Sequence, residues 1–469
     1  MTEPTMTVGG AALAGTGTLD VIDPSTGEVF AQAPACDRDQ LDGAMAAAAG
    51  AFDGWKADEK GRRAALLDAA GLIEAAVGTL APLLTKEQGK PLPEARMEIV
   101  GSCAWLRYYA NMDLPREIVE NSDRGFAEVV RRPLGVVAAI TPWNFPVALA
   151  LWKLAPALRA GNTVVLKPSP HAPLTVLAIG ALLREVFPPG VLNVVTGPDP
   201  LGVWMTEHPV PRKISFTGST ATGKRIMAGA APDLKRLTLE LGGNDPAIVL
   251  DDADPELIAE ALFWGAFRNN GQICLGIKRV YAHRSVYGSF VEALAAQARA
   301  ARVGSGLADG VVLGPIGNRP QFNRVAELVA DARDAGAVVA AGGEAIDRPG
   351  YFFSPTVLAG VADGTRIVDE EQFGPALPVV AYDDEQDVVA LVNAGPFGLT
   401  ASVWSSDPDR AAVVASRVDC GQVSVNAHGV GLRPDLPFGG HKWSGLGVEN
   451  GRWGLEGFTE LQVLMRPGG

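Results

Sequence analysis

The side chain that first suggests chemistry is Cys274, in the run Phe267-Arg268-Asn269-Asn270-Gly271-Gln272-Ile273-Cys274-Leu275-Gly276-Ile277-Lys278-Arg279. A thiol attacks as its thiolate, a form favoured by backbone N–H groups and nearby cations. Upstream, Pro255 to Phe267 carries apolar residues at helical spacing, and downstream Val280-Tyr281-Ala282 reads as a short strand. Asn270-Gly271 interrupts regular structure between them. Cys274 is therefore predicted on a helix-to-strand turn, where a side chain can face a cleft. The alternative is a small buried hydrophobe, the usual role of a free cysteine.

Six further motifs could serve such a thiol. Phe216-Thr217-Gly218-Ser219-Thr220-Ala221-Thr222-Gly223-Lys224 follows a strand and opens a helix, where free N–H groups and the helix dipole attract phosphate. It approaches a P-loop, but Arg225 stands where the Mg²⁺-holding hydroxyl belongs, so a phosphate-bearing cofactor fits better than NTP hydrolysis. Leu239-Glu240-Leu241-Gly242-Gly243 puts a carboxylate at a strand end, and partial desolvation would raise its pKa toward that of a general base. In Thr141-Pro142-Trp143-Asn144-Phe145-Pro146, a rigidly held amide could donate to a developing oxyanion, or cap the next helix. Lys167-Pro168-Ser169 ends another strand with a cation suited to a ribose or phosphate; Glu370-Glu371-Gln372-Phe373-Gly374-Pro375 and Pro437 to Gly447 are loops of similar promise.

These loops need a scaffold, and the intervening pattern supplies one. From 135 onward, apolar strands alternate with helices: Gly135–Thr141, 147–158, 163–166, 173–186, 191–195, 201–207, 213–217 and 220–228, with a second such set from about 247 to 425. Buried strands separated by helices imply parallel, doubly wound sheets. Before them lie two short strands around Pro24-Ser25-Thr26-Gly27, and helices over 39–55, 59–77 and 93–109. Residues 1–20 read as a flexible lead-in. Residues 115–133 alternate around Ser122-Asp123-Arg124-Gly125 as a hairpin, which needs outside support.

The 469 residues suffice for two or three domains. A net charge of −13 with no basic run argues against nucleic acid or an anionic membrane as partner. No apolar run reaches the ~18 residues of a membrane span, and the N-terminus lacks the basic n-region of a signal peptide. Cys36, Cys103, Cys274 and Cys420 have neither paired spacing nor metal-ligand spacing to the five histidines, so no metal site is expected and a reducing, cytoplasmic setting is.

Taken in order, Pro142-Trp143-Asn144-Phe145-Pro146, Lys167-Pro168-Ser169, Phe216-Thr217-Gly218-Ser219-Thr220, Glu240-Leu241-Gly242-Gly243, Gly271-Gln272-Ile273-Cys274, Glu371-Gln372-Phe373-Gly374-Pro375 and Pro437-Phe438-Gly439-Gly440 resemble the NAD(P)-dependent aldehyde dehydrogenase superfamily over nearly the whole chain. The resemblance implies an α/β fold of two doubly wound domains plus a β-hairpin/C-terminal oligomerisation arm. The dinucleotide-binding domain would take 1–114 and 134–242, the catalytic domain 243–441, and the arm 115–133 with 456–469, in a homodimer or homotetramer. It implies oxidation of a small aldehyde to an acid, with Cys274 as nucleophile, Asn144 and the Cys274 N–H holding the oxyanion, Glu240 activating water, and Lys153 as a second lysine near the site. Trp143, Lys167, Ser169, Gly218, Ser219, Glu371 and Phe373 would bind the cofactor, NAD or NADP with NAD slightly favoured. Pro170 occupies a position where NAD-selective relatives often carry glutamate, which leaves NADP open. Phe145, Ala148, Trp152, Ile273, Leu275 and the loop 427–435 would line the substrate pocket; the parts played by His428 and Arg433 there stay open. An apolar lining favours an aliphatic or aromatic aldehyde. Two alternatives remain: a CoA-acylating relative, against which Glu240 speaks, and a non-catalytic dinucleotide-binding protein.

Overall fold

A computed structural model describes residues 3–429 and 432–468. Among them, eight strands form one sheet in the order Ala11–Leu13, Met6–Val8, Leu192–Val194, Thr163–Lys167, Val136–Ile140, Lys213–Thr217, Arg236–Glu240 and Gly445–Leu446. The five central strands run parallel, and the outer ones are antiparallel. Chain order reverses between Val136–Ile140 and Lys213–Thr217, a topological switch point where ligands of open α/β sheets bind beyond the strands' carboxyl ends. The loops beginning at Thr141 and Gly218 leave from there.

A seven-stranded sheet follows, in the order Val338–Ala341, Thr356–Val361, Ala376–Tyr382, Ile277–His283, Asp245–Val249, Thr400–Trp404 and Gln422–Val425, parallel except at Val338–Ala341. Successive side chains on its strands enter different cores. Ile248, Tyr281 and Leu358 join one cluster, whereas Ala247, Val249, Val280, Ala282 and Val357 join another. Both faces are thus covered, which is why these strands read as continuous apolar runs rather than alternating ones.

Local chemistry sets the helix boundaries that matter for the site. Pro146 opens helix Pro146–Ala160 and Gly161 closes it in a left-handed conformation. The Ser219 hydroxyl caps Thr220–Ala230 through the Thr222 N–H, and Asp254 caps Pro255–Phe267 through the Glu256 N–H. Residues 115–133 form the expected hairpin, Arg116–Ser122 against Gly125–Pro133, and Thr459–Pro467 adds a third antiparallel strand. This small sheet is the support that the hairpin required.

Three sequence expectations need correction. Of the lead-in expected over 1–20, the described residues 3–20 are not loose: Met6–Val8 pairs with Leu192–Val194, Met6 is fully buried, and Arg184 donates to the hydroxyls of Thr5 and Thr7 and to the Met6 carbonyl. The contacts that order this segment lie far away in sequence, and its strands are three residues long, too short to show a period. The helix expected over 59–77 ends at Ala75, and a separate helix, Val77–Gln88, follows at a 73° bend. Helix 173–186 spans only Leu174–Leu182. Among the described residues, no single helix is long and apolar enough to cross a membrane.

Candidate active site

The chain passes from the last parallel strand of the first sheet, ending at Glu240, to an inner strand of the second, starting at Asp245, through Leu241-Gly242-Gly243-Asn244. Cys274 precedes Ile277–His283, the neighbour of Asp245–Val249. The nucleophile candidate therefore sits at the amino end of one sheet, beside the carboxyl end of the other.

Its turn is built from unusual backbone. Asn269, Asn270 and Gly271 have φ of 49°, 56° and 74°, three successive left-handed residues. Asparagine and glycine are the types that tolerate this region. Side chains then fix the turn's carbonyls. Asn144 Nδ2 donates to Gln272 O at 2.9 Å and Asn269 Nδ2 does so at 3.3 Å; Lys278 Nζ donates to Ile273 O and, at 3.0 Å, to Gly276 O. Leu275 O receives His428 Nε2 at 2.7 Å and Thr400 Oγ1 at 3.3 Å. A Cβ on Gly243 would fall 2.8 Å from the Cys274 carbonyl, so the glycine lets the inter-sheet connection pass close to the Cys274 backbone.

Cys274 is partly buried and opens on a cleft of about 240 Å³. Trp143, Asn144, Gly218, Ser219, Glu371 and Phe373, all proposed from sequence, line this cleft with Cys274. So do Thr217, Leu241, Gly242, Gln321 and Arg324. Burial pushes the Cys274 thiol up to about 12; the Lys278 charge pulls it down, while Asp245, Glu371 and Glu240 push it up. Glu240 is 3% exposed and neither carboxyl oxygen has a hydrogen-bond partner. Burial holds its carboxyl well above the ordinary range; the Glu449 charge adds to this and Lys153 opposes it. Sequence suggested partial desolvation; the structure shows nearly complete burial.

Lys153 is fully buried, and its Nζ lies 2.6 Å from Glu449 Oε1. Glu449 is an acid that the sequence reading missed, because it returns from a C-terminal loop 209 residues beyond Glu240 with no motif around it. In the same cleft, Glu371 accepts from the Gly243 N–H at 3.2 Å, and burial pushes it up to about 7. Phe373, itself at a φ of 47°, meets Trp143 edge to face at 5.6 Å. Gln321, also missed, donates to the carbonyls of Gln372 and Phe373 and so fixes that loop. Lys167 and Ser169 lie apart from this cleft wall, buried at the end of the adjoining strand; burial lowers Lys167 to about 8, with Asp199 opposing.

These surroundings fit a dinucleotide. The cleft lies at the switch point, the first turn of helix Thr220–Ala230 faces it through Gly218 and Ser219, and Glu371 offers a carboxylate suited to sugar hydroxyls. Among the described residues, no group of three or more His, Cys, Asp and Glu side chains is placed to hold a metal ion.

The residues expected to line the substrate pocket are not among those that line this cleft. Trp152 is buried, stacked on Trp105 at 4.9 Å and edge-on to Phe438 at 5.8 Å. Leu275 is buried as well, while Phe145 and Ile273 are partly buried against the same core. In the loop 427–435, Val430 and Gly431 lie outside the described residues. Arg433 is occupied by Asp435 through two hydrogen bonds of 3.0 and 2.6 Å and is largely exposed.

Comparison with known proteins agrees with the geometry. The aldehyde dehydrogenase family model matches residues 12–464. NADP(+) succinate-semialdehyde dehydrogenase GabD of Escherichia coli is 39% identical over 95% of this chain and 94% of its own length. The 3-sulfolactaldehyde dehydrogenase of Pseudomonas putida is 40% identical over 95% of this chain and 93% of its own. An aldehyde dehydrogenase structure from Brucella melitensis superposes with a TM-score of 0.96 at 37% identity, covering 99% of this chain and 97% of that one. The NAD+ complex of the Bacillus cereus enzyme superposes with 0.96 at 35% identity, covering 99% and 96%. The chain belongs to the aldehyde dehydrogenase family. It is an NAD(P)-dependent oxidoreductase that converts an aldehyde to an acid.

Proposed function

We propose that Cys274 is the nucleophile of this oxidation and that the residues around it divide the work as follows. The Cys274 thiolate adds to the aldehyde carbon, and the oxyanion is held by the Asn144 amide and the Cys274 N–H. Asn144 is already oriented by its bond to Gln272 O, which leaves a second amide proton for this purpose. A bound nicotinamide supplies the hydride acceptor. Trp143, Gly218, Ser219, Glu371 and Phe373 position the cofactor, with Lys167 and Ser169 reaching its distal part. Cys274 is left as a thioester, and Glu240 takes the proton of the water that releases the acid. Lys153, paired with Glu449, lies within electrostatic reach of Glu240 and biases its protonation. The observation that carries this reading is the unpartnered, buried Glu240 carboxyl beside a cleft that holds both Cys274 and Asn144. A base so placed also disfavours the CoA-acylating alternative.

The substrate is an uncharged aliphatic or aromatic aldehyde. An anionic tail would need a free cation, and the described ones nearby are engaged: Arg324 with Glu370, Arg433 with Asp435, Lys90 with Glu98, and Lys278 with the turn's carbonyls. The chain acts as a homodimer or homotetramer, for which the three-stranded arm exposes Ile118, Val119, Leu461, Val463 and Met465. It works in the cytoplasm, where its four free cysteines stay reduced. The test is steady-state kinetics on a panel of aldehydes with NAD and NADP, with and without CoA, for the native chain and Cys274→Ala. The variant should keep cofactor affinity and lose turnover; retained turnover removes the nucleophile assignment. Preference for semialdehydes of dicarboxylic acids would overturn the substrate assignment.

A further inference from the structure

Lys278 has no part in the scheme above, yet it is the most unusual group in the site. It is the second residue of strand Ile277–His283, is 1% exposed, and sends its ammonium back under the turn that carries Cys274. There it donates to Ile273 O and Gly276 O, on either side of the nucleophile. A Cβ on Gly276 would lie 3.2 Å from Nζ, so a residue with no side chain makes room for the ammonium. The backbone of Lys278 is tied to the cofactor-side loop as well, since Gln372, between Glu371 and Phe373, donates to Lys278 O at 2.6 Å.

We propose, on the reading that Cys274 is the nucleophile, that Lys278 is its positioning residue: the ammonium clamps the carbonyls flanking Cys274 and supplies the positive charge that favours the thiolate. A neutral donor could make the same two hydrogen bonds. Burial works against the ammonium and lowers the Lys278 pKa, with Glu371, Asp245 and Cys274 opposing, so a charge kept here needs something to act on. The ionisable groups that face it are Cys274, Asp245 and Glu371, with Glu240 and His428 also within reach of this cluster. The three carboxyls disfavour the thiolate and Lys278 alone favours it. Asp245 is held by Thr400 Oγ1, and burial pushes both Asp245 and Glu371 up to about 7, so their protonation leaves the ammonium's effect on the sulfur less opposed near neutral pH.

The test is the rate of iodoacetamide alkylation of Cys274 in the cofactor-free protein as a function of pH, followed on the Cys274 peptide by mass. Lys278→Met should move the profile up by about one pH unit and slow alkylation near pH 8 about tenfold. Lys278→Arg, which keeps the charge, should stay within about threefold of the native rate. Gly276→Ala, which crowds the ammonium without removing it, should shift the profile in the same direction by less. If Lys278→Met does not fold, as judged by circular dichroism and elution volume, Gly276→Ala and Lys278→Arg decide. An unchanged profile in a folded Lys278→Met or Gly276→Ala protein, or an Arg profile shifted as far up as that of Met, overturns the proposal. Turnover of Cys274→Ala decides the nucleophile itself, so the two readings fail separately.

Discussion

Replacing Glu240 by glutamine should split the reaction at the thioester. The substitution is close to isosteric, and Glu240 makes no hydrogen bond that glutamine would lose. Folding should therefore be preserved, and the change falls on proton transfer alone. Thiolate addition and oxidation need no water, so the first turnover should proceed and release about one equivalent of reduced cofactor per site. Hydrolysis does need the base, and a positioned general base is worth about 10²–10⁴ in rate. At about 1.36 kcal/mol per decade, this is roughly 3–5 kcal/mol of barrier. Stopped-flow absorbance should thus show a full burst and then a steady rate lower by that factor. The pH profile supplies a second signature. Burial keeps the Glu240 carboxyl protonated well above the ordinary range, so native deacylation should rise with pH along a limb displaced upward from about 4.5. The glutamine variant should lack this limb. A variant with the native steady rate means that another group is the base. A folded variant with neither burst nor turnover means that Glu240 acts before the thioester forms.

Two predictions concern buried charge rather than rate. Glu449→Leu strands the fully buried Lys153 ammonium and should cost about 3–5 kcal/mol, whereas Lys153→Met combined with Glu449→Leu should recover most of that loss, because an apolar pair of similar volume replaces the ions. Denaturant midpoints compare the two, and a double variant as weak as the single one would sink the argument. Glu87 is fully buried, accepts the Leu174 and Thr175 N–H groups at 2.6 and 2.9 Å, and is pushed by burial from 4.5 to about 7. With the folded pKa above the unfolded one, its contribution is intact below about pH 4.5 and declines as pH rises toward 7. The native protein should thus lose up to about 3 kcal/mol relative to Glu87→Gln across this window. A gap independent of pH, again read from denaturant midpoints, would show that Glu87 is not perturbed.

The features legible in the sequence are those whose cause is local. Parallel strands covered on both faces leave apolar runs, and helices with Pro or Ser starts leave caps, so the central strands of the first sheet and the arm hairpin could be placed in advance, and the second sheet only as an alternating region. The Cys274 turn was visible because left-handed backbone requires Asn and Gly. Features set by distant contacts were not visible. Nothing near Met6 announces its pairing with Leu192–Val194, and nothing near Glu449 announces that it will meet Lys153, 296 residues earlier in the chain. The burial of Trp152 behind Trp105 had no signal either, since the tryptophan follows the asparagine motif at a helical spacing that faces the site as readily as the core.

One physical arrangement explains why the acid and the thiol, 34 residues apart in sequence, can work together. A strand's carboxyl end delivers Glu240, and the chain then needs only Leu241 to Asn244 to begin the next sheet. Those few residues are too short to move one sheet freely against the other. The neighbouring strand of the second sheet begins just after the nucleophile turn, and its Lys278 reaches back under that turn. The Glu240 carboxyl is thereby carried by a strand end, and Cys274 by a turn tied to the adjoining strand. The cofactor-side residues Glu371 and Phe373 sit instead on a loop fixed by Gln321 and Gln372 through hydrogen bonds to backbone carbonyls.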